Sequence, residues 1–294
     1  MDIEIINLLK EKRPSLSDSS FMTYKSILKN MYKLLNPEGD VFNPKVFDNT
    51  KEIINLLKDL PSNARKTRLS ALVVVSDKKE YRELMLDDIK NYNKEISKQE
   101  KTDNQKDNWV YEDEINKLIN TLKKNANTIY KKISLTSDDL QDIQNYIIIC
   151  LFGGVYIPPR RSKDYVNFEI KNIDKEKNNY LDKDEFIFNS YKTAKTYGQQ
   201  KVKIPSELKS IINKWIKINP SNTLLFDVNL NPLTNVKLNQ RLNKILGKKA
   251  SVNVLRHEYL TRKYGDMIDK KKELDKDFKD MGSSSLQYET YVKK

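Results

Sequence analysis

Phe21, Tyr24, Ile27, Leu28, Met31, Leu34 and Leu35 recur at helical spacing, so one apolar stripe predicts a helix over residues 21–35. Ser19 or Ser20 can cap its start, and Asn36-Pro37 followed by Gly39 ends it. Ile53, Ile54, Leu56, Leu57 and Leu60 repeat the pattern over 50–60, ahead of Pro61. A third helix begins at Ser62, with Arg65, Lys66 and Arg68 on its early turns and Leu69, Leu72 and Val73 behind them. A fourth, more polar, starts near Lys78. Residues 1–96 therefore read as a small helical domain with basic residues gathered near one helix start.

Residues 97–108 carry no apolar side chain, cannot bury anything, and read as a linker. Beyond it, Ile115, Leu118, Ile119 and Leu122 predict an amphipathic helix. A longer one over 137–153 turns Leu140, Ile143, Ile147, Cys150 and Leu151 inward. Gly153-Gly154 and Pro158-Pro159 break helical geometry. Tyr165 to Ile173 alternates and predicts a strand. Residues 186–191 and 201–204 predict a hairpin with Gly198 near its turn. Helices return at 206–218, 235–246 and 252–264. The fold class expected is mainly α with a small antiparallel β-sheet, with a second domain over 109–294.

Charge narrows the partners. Lys and Arg number 54 against 41 Asp and Glu, a net +13 that favours a polyanion, nucleic acid before anionic membrane. No apolar run approaches the roughly 20 residues needed to span a bilayer. The start, Met1-Asp2-Ile3-Glu4, lacks the basic-then-apolar pattern of a signal peptide. One cysteine (Cys150) and one histidine (His257) leave no internal disulfide and no Cys/His zinc site. The expectation is an intracellular protein, not secreted, with no membrane partner, no metal and no cofactor.

Four features in the second segment carry chemistry. Pro158-Pro159-Arg160-Arg161-Ser162-Lys163-Asp164 leads out of a helix with two arginines and an acid. Lys192 precedes the hairpin turn and Lys195 lies within it. Arg256 sits on an apolar helix, where an arginine is otherwise costly to bury, beside His257, read as a core histidine. Tyr291 closes the set, with Tyr288 near it.

In this order the chain resembles the tyrosine recombinases, whose members join a helical core-binding domain through a linker to a catalytic domain. The phrases Pro-Pro-Arg-Arg and Tyr-Lys-Thr look like those of integrases from virophages, giant viruses and related mobile elements. The resemblance implies catalytic roles for Arg161, Lys192, Asn253, Arg256, Ser283 and Tyr291. Asp164 and Phe168 stand at the offsets that select Arg161 over Arg160. Lys195 and Tyr288 remain the rival choices for lysine and nucleophile. Asn253 and Ser283 depart from the family, which has histidine at the first position and histidine or tryptophan at the second.

The implied activity is cleavage and rejoining of DNA through a 3′-phosphotyrosyl bond. Arg161 and Arg256 would hold the phosphate by bidentate hydrogen bonds, and Lys192 would act as general acid. Double-stranded DNA is the implied partner, met by a homo-oligomer, dimer or tetramer, in a host nucleus or viral factory. Only Val292-Lys293-Lys294 follow Tyr291, so a long C-terminal helix exchanged between protomers is not expected. Phosphate contacts are expected from Lys25, Arg65, Lys66 and Arg68 in the first domain and Arg160, Lys195, Lys201 and Arg241 in the second. Loss of the family histidine leaves a second reading, a DNA-binding clamp without catalysis. A type IB topoisomerase-like enzyme is a third.

Overall fold

A computed structural model describes residues 1–37 and 41–293, and Gly39, expected to help end the first predicted helix, lies outside them. The chain is mainly helical with one small sheet, and it divides into two units, Met1–Glu100 and Lys101–Lys294.

The first unit holds α1 (Asp2–Lys12), α2 (Asp18–Leu35), α3 (Thr50–Leu57), α4 (Ser62–Val75) and α5 (Lys79–Ser97). α1 is an addition to the sequence reading; Ile5 and Leu9, one turn apart, are its buried face. The cap of α2 is Ser17, not Ser19 or Ser20. Its hydroxyl accepts from the Ser20 amide at 3.3 Å, because Ser17 is the last extended residue before the helical turn. Leu28, Met31 and Tyr32 from α2 join Ile53, Leu57, Leu69, Leu72 and Tyr81 in one core. Each such apolar side chain contributes about 1.5–3 kcal/mol on burial. Buried hydroxyls find carbonyls: Tyr81 Oη donates to Phe47 O at 2.8 Å and Tyr32 Oη to Val41 O at 2.6 Å.

The second unit opens with a short helix, α6 (Asp103–Asp107), inside the stretch whose composition offers nothing to bury. It is held by polar groups alone: Thr102 and Gln105 form a reciprocal capping box. α7 (Glu112–Ile129) packs on α8 (Ser137–Phe152), which is buried along most of its length. Cys150 lies fully buried there, and burial pushes its thiol up to about 12.

The strand expected over Tyr165–Ile173 is absent. Residues Ser162–Val166 form a helical turn, α9, and only isolated bridges at Phe168 and Glu169 follow. Alternation misled here because Tyr165 and Phe168 serve an aromatic cluster rather than a sheet face. Tyr165 meets Phe152, Phe186 and Phe188 edge-on at centroid distances of 5.3, 5.7 and 5.6 Å. The sheet has order β1-β2-β3, all antiparallel, from Tyr180–Asp182, Glu185–Phe188 and Gln200–Lys203. Its register pairs Phe186 with Val202 and Phe188 with Gln200. Thus the expected hairpin is present, but a one-turn helix, α10 (Ala194–Tyr197), interrupts its loop before Gly198 at φ +64°.

α11 (Ser206–Ile218), α12 (Asn235–Leu246) and α13 (Val252–Tyr264) match the last three periodic segments. Gln144 of α8 clamps the Phe226 backbone from both sides, at 2.8 and 2.7 Å, bringing the chain before α12 against α8. α14 (Asp266–Asp280) and the short α15 (Tyr288–Tyr291) complete the described chain; α14 buries only Phe278 and so gave no apolar stripe to read.

Candidate active site

The turn after α8 is fixed by close approach. Gly154 adopts φ +73°, and a Cβ there would stand 2.8 Å from Cδ2 of Tyr259 on α13. The chain leaving α8 therefore lies against the helix that carries Arg256. Pro158 and Pro159 keep the next residues extended until Arg161, the N-cap residue of α9.

Arg160 faces inward. Its Nε donates to Asp164 Oδ2 at 2.8 Å and its Nη1 to Gln200 Oε1 at 3.0 Å, while its guanidinium lies 3.9 Å over the Phe188 ring. These bonds spend the group inside the fold, which removes Arg160 from the expected phosphate contacts. Arg161 differs: it is exposed and, among the described residues, makes no side-chain hydrogen bond or ion pair.

Asp164 is the hub. It is 2% exposed, and its second oxygen, Oδ1, has no hydrogen-bond partner among the described residues. Burial pushes its carboxyl above the usual range, against the pull of Arg160, Arg161 and Arg256. Arg256, half-buried, is held below the ordinary arginine range by burial first and then by the like charge of Arg161. Asp164 opposes that fall and Arg160 adds to it. Three guanidiniums thus share the neighbourhood of one buried carboxylate. Arg160 pairs directly with Asp164, whereas the exposed Arg161 and the half-buried Arg256 make no ion pair of their own among the described residues.

The remaining predicted residues divide. Asn253, exposed on the first turn of α13, precedes Arg256 by three residues and so shares its helix face. Lys192 and Lys195 are both exposed in the β2–β3 connection, whose Tyr191 Oη donates to Gly198 O at 2.7 Å. Ser283 is half-buried beside Gly282, which closes α14 at φ +70°. Tyr291 is 52% exposed, its ring edge-on to Phe278 at 5.6 Å; Tyr288 is 44% exposed. Among the described residues neither phenol is hydrogen-bonded, so the structure gathers the arginines without tying either tyrosine to them. His257 is exposed, not a core histidine, because the buried side of α13 is formed by Val252, Val254, Leu255 and Glu258.

Two expected phosphate contacts are committed elsewhere. Arg65 forms a two-pronged pair with the fully buried Asp88, at 2.8 and 2.6 Å. Arg241 ties α12 to α8 through Asn145 Oδ1 and Gln141 Oε1, each at 2.6 Å, and burial pulls it down to about 10. Lys66 lies 3.3 Å over the Tyr92 ring, Arg68 donates to Ala64 O at 3.1 Å, and Lys25 reaches Asp2 at 3.9 Å. Lys201 is exposed on β3. No cluster of His, Cys, Asp and Glu among the described residues could hold a metal ion.

Sequence reasoning missed two asparagines, Asn179 and Asn189, that bind the loop of Lys192 to the chain around it. Asn179 is fully buried and bonds Asp164 O, Ser190 O and the amides of Asn189 and Ser190. Apart from Gln199, which donates to Asn189 Oδ1 at 2.8 Å, their partners are backbone atoms, which leave no pattern in a sequence.

No protein-family model matches the chain, and no curated protein matches it. One solved structure, described as the crystal structure of XerA recombinase, is similar to it. The likeness covers 89% of this chain and 84% of that one, at 14% identity and a TM-score of 0.36. At that score the side chains around Asp164, not the neighbour, have to carry any functional reading.

Proposed function

We propose that the chain is a site-specific DNA recombinase or integrase acting through a 3′-phosphotyrosyl intermediate. The observation that carries this is the buried Asp164, bonded by Arg160 at 2.8 Å, with Arg161 three residues before it and the helix of Arg256 packed on the preceding turn, so that all three guanidiniums act on one carboxyl. A phosphodiester supplies the missing negative charge, and its transition state, richer in charge on the non-bridging oxygens, fits the site better still. Arg161 and Arg256 hold those oxygens. Tyr291 Oη attacks phosphorus and releases its proton to water; the P–O5′ bond breaks and Lys192 protonates the departing O5′. Asn253 donates to a phosphate oxygen from the face of Arg256, and Ser283 acts near the tyrosine. Residues 1–96 serve as core-binding domain, 97–108 as linker and 109–294 as catalytic domain, with duplex DNA contacted by both domains of a homo-oligomer.

The test is covalent trapping. Nicked suicide duplexes built from the repeats flanking the gene should yield a protein–DNA adduct with the wild-type chain and none with Tyr291→Phe. An adduct lost instead in Tyr288→Phe reassigns the nucleophile. No adduct from folded, DNA-bound wild type removes the enzymatic reading.

A DNA-binding clamp without catalysis is the second reading, favoured by phenols that make no bond to the arginines among the described residues, by Asn253 at the family's histidine position and by Ser283 at its histidine-or-tryptophan position. It requires salt-sensitive binding with no cleavage. Relaxation of plasmids that lack any repeat would instead mark topoisomerase-like activity.

A further inference from the structure

We propose that Asn179 is the positioning residue for the general acid, fixing where Lys192 stands relative to Arg161; this rests on the recombinase reading. An asparagine amide has two donor and two acceptor valences, and Asn179 uses all four. Its Nδ2 donates to Asp164 O at 2.9 Å and to Ser190 O at 2.8 Å. Its Oδ1 accepts from the amides of Asn189 and Ser190 at 2.9 and 2.8 Å. One arm therefore grips α9, three residues after Arg161, and the others grip the chain two and three residues before Lys192.

The bracket is itself anchored. The Asn179 side chain is fully buried, and its backbone oxygen accepts from Glu169 N at 2.8 Å. α9 has independent support from Tyr165 in the aromatic cluster, so it does not depend on this amide. The residues leading to Lys192 draw on it more heavily, because β2 ends at Phe188 and the ladder hydrogen bonds end with it, leaving Tyr191 its bond to Gly198 O and its place 5.4 Å from the Arg160 guanidinium. Asn189 reinforces the tether through Nδ2 bonds of 2.8 Å to Lys175 O and Asn178 O. No other side chain reaches from the Lys192 loop to α9 by hydrogen bonds among the described residues. Aspartate keeps the acceptors and lacks the donors; leucine fills the space and lacks both.

The role can be separated from general support of the fold by the leaving group. A departing 5′-oxygen needs a proton, whereas a 5′-sulfur, far less basic, leaves without one. Suicide duplexes from the flanking repeats are prepared with a normal scissile phosphate and with a 5′-bridging phosphorothiolate. Wild type, Lys192→Ala, Asn179→Ala and Asn179→Asp are compared for the rate of adduct formation. A fifth protein carries one glycine inserted between Ser190 and Tyr191, which leaves the buried amide intact and unlinks Lys192 from it.

Every altered protein should lose about 100-fold on the normal duplex, the scale of general-acid catalysis and of a misplacement near 1 Å. Each should cleave the phosphorothiolate within about threefold of wild type. Equal losses on both duplexes by the folded Asn179 variants, or wild-type rates from the insertion, overturn the assignment while the recombinase reading stands. A wild-type chain that cleaves neither duplex overturns the recombinase reading, and the role of Asn179 falls with it.

Discussion

Arg256 illustrates how a single side chain can be costly to the fold and useful to the site. Burial and the nearby Arg161 both disfavour its charge, and Asp164 alone offsets them. On the proposed function a bound phosphate would offset that cost, and affinity and catalysis would draw on the same guanidinium. Lysine cannot reproduce a two-pronged grip. Arg256→Lys should therefore lower the rate of adduct formation by about 100- to 1,000-fold while leaving the melting temperature near wild type. Gly154 poses the opposite case, a residue with no chemistry that decides where Arg161 and Arg256 can meet. An added methyl at φ +73° would press on Tyr259 from 2.8 Å. Gly154→Ala should cost about 1–3 kcal/mol in urea unfolding.

Among elements, α4 and α5 share an ion pair whose carboxylate is fully buried. Asp88 is fully buried, and Arg65 is spent on it rather than on solvent. Arg65→Met leaves that carboxylate unpaired and should cost about 3–5 kcal/mol, with most of the loss recovered in the double variant carrying Asp88→Leu. The start of α8 has an acid-sensitive cap. Lys132 foremost, and the Thr136 amide after it, hold Asp139 below its usual 3.8. A carboxyl lowered by folding stabilises fully above its unfolded value and loses that contribution as pH falls through the folded one. Thermal melts should therefore decline below about pH 4, and Lys132→Met should flatten that decline.

Most elements with one apolar face were legible in the sequence; α1, whose buried face is only Ile5 and Leu9, was not. α2, α3, α4, α7, α8 and α11 to α13 each carry a stripe that only a helix can align. α14 escaped because Phe278 is its one buried residue, and α6 because capping side chains alone hold it. Val166, Phe168 and Ile170 alternate like a strand, while Phe168 packs with Tyr165 in an aromatic cluster. At the candidate site, Arg256 stood out in the sequence because it follows the apolar Val254 and Leu255, both buried. Asp164 was found only by its offset from Arg161. Asn179 could not be read at all, since its partners are backbone atoms brought near by folding.

At the scale of the whole molecule, a net +13 sets the response to salt. For a protein that neutralises duplex phosphates, the logarithm of affinity falls linearly with that of salt concentration, by about 0.9 per phosphate contact. Lys66→Ala and Lys201→Ala should each make the slope shallower by about that amount in fluorescence-anisotropy titrations. Arg241→Met should leave it unchanged, because its charge is spent between α12 and α8. No helix among the described residues is long and apolar enough to cross a membrane.

The sealed position of Cys150 has a practical corollary. With its only sulfhydryl inaccessible and hard to ionise, the native protein should ignore maleimides and iodoacetamide under folding conditions. A cysteine placed at an exposed site such as Tyr288 or Lys195 would then be the sole reactive handle. Fluorophores or cross-linkers could be attached there, one per chain, to follow the tail or the hairpin tip as DNA is engaged.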